Sequence, residues 1–205
     1  MYPNILTKEQ KELLPFLQKF KREFYLVGGT AIALQIGHRQ SVDFDLFKQS
    51  NLNFTRIQKK ISVEKFSYQI TRKVTEQINI DINSVKVTFF QYPYFIDAKV
   101  NFENCMRMPD LLTLAAMKAF ALGQRSKWKD YVDLYFLLKN YYTLDEVSNK
   151  AKELFNQMFS EKLFRGQLAF HKDINYSEQV EYMPGFEVGE NEVKEFLIDK
   201  SLQEI

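Results

Sequence analysis

The sequence predicts an α+β protein in which a small mixed sheet with its own helices is followed by an all-helical half. Three observations predict it. Up to about residue 100, short apolar or alternating runs are interleaved with helical segments; beyond that point the apolar spacing is helical almost throughout; and no glycine- or serine-rich linker separates the halves. The expected division is a sheet lobe at 1–102 and a helical lobe at 103–205.

The elements follow in order. "TKEQKELLPFLQKF" begins with Thr7 three residues before Gln10, a capping box, and reads as a helix that Pro15 should bend or divide. "FYLV" is a short strand ending at Gly28 and Gly29, and "TAIALQI" is a short helix closed by Gly37. In "SVDFDLF" strict alternation puts Val42, Phe44 and Leu46 on one face and Asp43 and Asp45 on the other. "FTRIQKKISVEKF" returns to helical spacing. "SYQITRKV", "QINIDIN" and "VKVTFFQY" are strands, the last two joined by a tight hairpin at Asn83-Ser84. Pro109 and Asp110 then open an apolar helix that stops at Gly123; "KWKDYVDLYFLLKN" is a second, and Thr143 with Glu146 caps a third. From about Met158 to Glu187 the pattern weakens, with "YSEQVEYMPGFEVG" reading as an extended surface segment, before a closing helix in "ENEVKEFLIDKSLQ".

Composition bounds the function. At 205 residues, 45% hydrophobic and 26% charged, the chain is an ordinary globular protein. Its one cysteine, Cys105, rules out an intramolecular disulfide, and "MYPNILTKEQ" lacks a signal-peptide pattern, so a cytoplasmic location is expected. The longest apolar tract, "LLTLAAMKAFAL", is short and interrupted by Lys118, so no membrane span is expected. A net charge of +2 leaves any nucleic-acid contact to a local patch.

The chemistry concentrates in "FYLVGGTAIALQIGHRQSVDFDLF". Two carboxylates at i and i+2 on one strand face can share a hard divalent cation, and Mg²⁺ favours carboxylates combined with substrate phosphate oxygens. Gly28 and Gly29 let backbone approach a phosphate, to which the following helix offers its first amides. Either feature alone also fits a plain turn or the solvent face of an edge strand. Together, in this order and spacing, they describe an NTP-Mg²⁺ site.

That constellation resembles the signature of the nucleotidyltransferases related to DNA polymerase β, and the stretch with its Gly-His-Arg is similar to the AbiEii/AbiGii toxin branch of them. "VKVTFFQYPY", "LLTLAAMKAFALGQRSKWKDYVDLYFLL" and "NEVKEFL" extend the resemblance over most of the chain. It implies a polymerase β-like sheet lobe followed by a helical lobe. It also implies transfer of a nucleotide from an NTP to an acceptor hydroxyl with Mg²⁺ or Mn²⁺, the acceptor being tRNA or another RNA. The protein would be the toxin of a toxin–antitoxin or phage-defence pair, with an antitoxin as partner. Asp43 and Asp45 would hold the metal; Gly28, Gly29, Thr30, Arg39 and Lys118 would bind nucleotide; Asp43, Asp45, Lys118, Asp130 and Asp133 would be catalytic, with Lys129 also in the helical motif.

One position departs from that pattern. Where complete relatives carry a third carboxylate, this chain has Thr88, which neither ligates metal well nor accepts a proton. Asp81 on the preceding strand, or Asp130, could supply it, though Asp81 also fits a solvent-facing strand residue. The departure leaves open a degenerate relative that binds nucleotide or a partner without catalysis. Other residues carry two readings each. Lys118 could meet a phosphate or snorkel to solvent; Asp133 could act in catalysis or pair with a base in "GQRSKWK"; His38 and Arg39 could contact phosphate or lie in a plain loop. Arg56, Lys59 and Lys60 form a basic stripe that fits RNA contact or a solvated face. With only His38 and His171, no zinc cluster or nucleophilic triad is expected, and the absence of Gly-x-Gly-x-x-Gly argues against a dinucleotide fold.

Overall fold

Residues 1–64 and 66–203 are described by a computed structural model, in which the chain divides into two compact units, Met1–Asp110 and Leu111–Ile205. The first contains α1 (Lys8–Gln18), β1 (Tyr25–Val27), α2 (Gly28–Ile36), β2 (Phe44–Lys48), α3 (Phe54–Val63), β3 (Tyr68–Val74), β4 (Gln77–Ile82), β5 (Val85–Gln91), β6 (Val100–Phe102) and β7 (Met106–Met108). Five strands form one mixed sheet in the order β1-β2-β5-β4-β3, with β2 parallel to β5 and the other neighbours antiparallel. β6 and β7 pair separately as a hairpin.

Alternation does in the sheet what it predicts. Phe44 pairs with Val87 and Leu46 with Phe89 across β2 and β5, and Ile80 and Ile78 continue the same two ranks on β4. All six are fully buried, so one face of the sheet is a continuous apolar layer. Phe20 and Phe24 meet Phe89 on that layer at centroid distances of 4.9 and 5.2 Å. Asn83 and Ser84 both take left-handed φ, 49° and 67°, as a two-residue hairpin of matching twist requires.

Two details of the first unit correct the sequence reading. Regular pairing of β2 begins at Phe44, so Asp43 precedes the strand, and Val42 is exposed instead of sharing the buried face of Phe44 and Leu46. Pro15 neither divides nor ends α1. The helix gives up one backbone bond there, yet the Thr7–Gln10 box closes its start and Leu13, Phe16 and Leu17 bury its inner face. The hairpin β6–β7 was not anticipated. Its three-residue turn, Glu103-Asn104-Cys105, is left-handed at the first two positions, and Cys105 is a buried free thiol bonded to the Leu14 carbonyl at 3.0 Å.

The second unit is helical: α4 (Leu111–Leu122), α5 (Trp128–Asn140), α6 (Leu144–Phe155), α7 (Glu161–Ala169) and α8 (Glu190–Leu202). α4 packs on α6, where Phe120 and Phe155 stack at 4.1 Å. α7 and α8 pack together, Phe164, Leu168, Val193 and Leu197 all being buried. α7 falls inside the segment where the sequence signal weakens; its Ser160 cap and the Phe164/Leu168 pair are helical signals diluted by Gly166 and by its shortness. Among the described residues no helix is long and apolar enough to cross a membrane.

Candidate active site

The Gly-Gly turn and the acidic strand meet in the first unit. β1 lies antiparallel to β2 with Val27 opposite Asp45, so the start of α2 stands directly beside that carboxylate. Gly28 has φ of 73°, and a Cβ there would fall on Asp45 Oδ2; a Cβ on Gly29 would overlap the Arg39 guanidinium and come within 3.3 Å of Ser41 Oγ. Both glycines are therefore required by what touches them: a carboxylate at one, a guanidinium at the next.

Thr30 completes the turn from below. Its Oγ1 donates to the Asp43 carbonyl and lies 2.8 Å from Ser41 Oγ, which ties the first turn of α2 to the segment carrying the first carboxylate. Arg39 is buried and spends one N–H on the Gln40 carbonyl at 2.8 Å. His38 has no exposed surface, so of the Gly-His-Arg segment it is the arginine that borders the turn. Gly37, at φ 75°, closes α2 over the Tyr2 ring, which a Cβ would meet at 2.7 Å.

Strand register extends the polar face. Asp45 pairs with Thr88, Thr88 with Asn79, and Asn79 with Arg72, so carboxylate, hydroxyl, amide and guanidinium form one rank across four strands spaced by about 4.8 Å. Thr88 is 7% exposed. One rank away, Asp81 pairs with Lys86 and Gln69. An open cavity of about 740 Å³ is lined by Asp43, Asp81, Lys86, Tyr68, Gln69 and Asn83 among others.

Among the described residues no group of three or more His, Cys, Asp or Glu is arranged to hold a metal. The donor set at the turn is two carboxylates and a hydroxyl. That suits Mg²⁺ only in the mode where substrate phosphates and water complete its shell, and the first amides of α2 are the donors such phosphate oxygens would meet.

The second unit holds its own buried charge cluster. Lys118 on α4 reaches Asp130 Oδ1 at 2.7 Å and Asp133 Oδ2 at 2.9 Å, both carboxylates on α5 and both 0% exposed, with the lysine at 5%. Arg125 adds a bond to Asp130 Oδ2 at 2.9 Å from a half-exposed position. Burial alone would raise the Asp130 carboxyl; Lys118 and then Arg125 outweigh it and hold the group below the usual carboxylate range. Lys118 is thus neither snorkelling nor exposed; Asp133 pairs with it across helices, and Arg125 of "GQRSKWK" pairs with Asp130. Lys129 pairs with Glu178, as does Lys127.

Of the expected residues, the first unit brings together Gly28, Gly29, Thr30, Arg39, Asp43 and Asp45, and the second brings together Lys118, Asp130 and Asp133. Ser41, Asn79 and Arg125 were missed. Asn79 could have been found, since it alternates with Asp81 on the polar side of "QINIDIN"; nothing in the sequence marks Ser41 as a partner of Thr30. In the basic stripe, Arg56 and Lys60 both lie against Glu23, at 3.0 and 3.8 Å, as a paired surface.

The protein aq_aa25 of Aquifex aeolicus (strain VF5) is 29% identical over 211 residues, covering 94% of this chain and 98% of that one. MenT4, a nucleotidyltransferase toxin of Mycobacterium tuberculosis H37Rv, superposes with a TM-score of 0.62 at 12% identity over 94% of this chain and 80% of its own. JHP933 of Helicobacter pylori does so at 0.55 and 18%, covering 96% and 91%. Both structures share the fold. The family model described as the nucleotidyl transferase AbiEii toxin of type IV toxin–antitoxin systems matches residues 16–204, and the chain belongs to that family.

Proposed function

We propose that the protein transfers a nucleotide from an NTP to an acceptor hydroxyl on RNA, such as a tRNA 3′ end, and acts in the cytoplasm as the toxin of a toxin–antitoxin or phage-defence pair. The observation that carries the reading is the fit of the Asp45 carboxylate against Gly28 at the N-terminus of α2. It sets a metal-binding group beside backbone built for phosphate.

Asp43 and Asp45 would hold Mg²⁺ or Mn²⁺, which when bound neutralises the triphosphate and polarises the phosphorus under attack. The amides of Gly28, Gly29 and Thr30 receive phosphate oxygens, and Arg39 supports the turn with positive charge. The acceptor oxygen forms a bond to the α-phosphorus as the bond from that phosphorus to the bridging oxygen breaks, and pyrophosphate leaves. The acceptor proton goes to Asp81, which lines the open cavity with Asp43. Asp130 is the weaker base, because its two cationic partners hold it ionised at low proton affinity. Lys118, Asp130 and Asp133 are proposed as the second unit's catalytic set, a fixed charge group in which the lysine's charge is shared between two carboxylates.

The test is incubation with each of four labelled NTPs, Mg²⁺ or Mn²⁺ and total RNA, comparing wild type with Asp43→Asn/Asp45→Asn. Label should pass to RNA only with the wild type, and the double variant should lose Mg²⁺-NTP binding by calorimetry while keeping its fold. Unchanged affinity in the variant removes the assignment. A second reading, a nucleotide-binding relative without transfer, is favoured by Thr88 beside Asp45. It predicts tight Mg²⁺-NTP binding with no labelled product from any acceptor.

A further inference from the structure

Beneath the start of β1, the hairpin β6–β7 and the chain before β1 enclose a cavity of about 350 Å³ lined by Lys21, Arg22, Asn101, Asn104, Met106 and Arg107. Three of the six are cations, two are amides, and none is a carboxylate. Most cations of this protein lie within 4 Å of an acid. These three do not: among the described residues Lys21, Arg22 and Arg107 make no ion pair, and Arg22 makes no hydrogen bond. Lys21 Nζ donates to the carbonyl and side-chain oxygens of Asn104 at 3.2 and 3.0 Å, and Arg107 Nε donates to the Lys21 carbonyl at 3.2 Å. The left-handed turn at Glu103-Asn104 presents those Asn104 oxygens. The hairpin is thereby fastened to the segment before β1, and both terminal nitrogens of Arg107 are left for a ligand.

Three unneutralised cations held around one opening repel one another, which an anion relieves. Two guanidinium forks and two side-chain amides match phosphate oxygens in number and geometry. The lining has no aromatic ring to stack a base and is open, so it suits a phosphodiester passing over it better than a whole nucleotide. Arg22 precedes Val27, the last residue before the Gly-Gly turn, by five residues, which span at most about 18 Å. A single strand covers that span in about three nucleotides.

We infer that this cavity is a phosphodiester-binding subsite for the acceptor nucleic acid, engaging its backbone a few nucleotides from the end presented to Asp43 and Asp45. The inference rests on the proposed transfer to RNA and assigns the surface that holds the acceptor. Specificity for sequence is not expected of it, since phosphate contacts position a strand without reading bases.

The test measures binding of a labelled 12-nucleotide single-stranded RNA by anisotropy over a salt series, for wild type, Arg22→Gln/Arg107→Gln and a charge-matched control, Lys162→Gln/Lys172→Gln. Mg²⁺-NTP affinity and melting are measured on the same samples. The cavity variant should melt as the wild type does and bind Mg²⁺-NTP unchanged. Its RNA affinity should fall about 10- to 100-fold at low salt, and the slope of log Kd against log salt should shrink by about 1.4, roughly 0.7 per lost contact. The control should keep wild-type RNA affinity. An unchanged cavity variant, or an equal loss in the control, overturns the subsite. So does a wild type that binds no RNA but is stabilised by millimolar inorganic phosphate through Arg22 and Arg107, because the cavity is then a small-anion site. Failure of Mg²⁺-NTP binding with RNA binding intact counts against the transfer reading and leaves the cavity assigned.

Discussion

Asp45 and Thr88 stand side by side on β2 and β5, opposite each other in a parallel register and on the same face of the sheet. A hydroxyl therefore occupies the place nearest the second carboxylate of the acidic pair. If that is where the site lacks an acid, Thr88→Asp adds the missing oxygen. The variant should be less stable than wild type without Mg²⁺, most visibly at low salt, because like charges then crowd one rank. It should be more strongly stabilised by Mg²⁺-NTP, and any transfer rate should rise, a positioned base being worth about 10² to 10⁴. Melting temperature with and without Mg²⁺-NTP, alongside label transfer, decides it; no change in any of them moves the missing function to Asp81.

Gly28→Ala tests the turn. A Cβ there meets both a positive φ and the Asp45 carboxylate, so stability should drop by about 1–3 kcal/mol and Mg²⁺-NTP binding should be lost. Gly29→Ala has no φ penalty and displaces Arg39 instead. It should weaken NTP binding with a smaller stability loss. Chemical denaturation with calorimetry on both variants separates the two effects.

Lys118→Met removes the cation shared by two buried carboxylates. Breaking such a pair costs about 3–5 kcal/mol at neutral pH. Removing the ammonium favours the protonated form of a buried carboxylate that loses it, so stability of the variant should recover relative to the wild type as pH falls from 8 toward 5. Thermal melts across that range check the sign; Asp130 and Glu178 give the wild type no such recovery there.

In the wild type, the depressed Asp130 carboxyl contributes stability that is present above its unfolded value near 4 and lost as pH falls through the folded one. Glu178 behaves alike: burial opposes its ionisation, but Lys127 and Lys129 hold it down to about 2, and its share fades between pH 4.5 and 2. The second unit should therefore unfold on acidification below pH 4, with an earlier loss of stability that begins as pH falls through the unfolded value of His171 near 6.5, because burial pushes that imidazole down. Circular dichroism during acid titration reads this directly.

Local chemistry was legible in the sequence, and long-range pairing was not. The Thr7–Gln10 and Thr143–Glu146 boxes, Gly37 and the Asn83-Ser84 turn each depend on residues within a few positions, and each forms as read. The approach of Asp45 to Gly28 was implied by the order of motifs, though nothing local says that Gly29 is needed for Arg39. Lys118 with Asp133 joins two helices whose register no periodicity fixes, so that partner of the aspartate could not be read from the segment beside it. β6 and β7, three residues each, and α7 are held by tertiary packing, and such short elements carry little signal of their own.

Cys105 gives the first unit a built-in clock. Its thiol is covered, and burial pushes its pKa up to about 11, so in the folded chain it is almost all protonated and inaccessible to alkylating reagents. Exposed in an unfolded chain it regains ordinary reactivity. Because the chain has no other cysteine, the rate of mass gain in excess reagent times the opening of Met1–Asp110 alone, whatever the helical unit is doing. Nucleotide, metal and RNA can thus each be ranked by how far they slow a single sulfur.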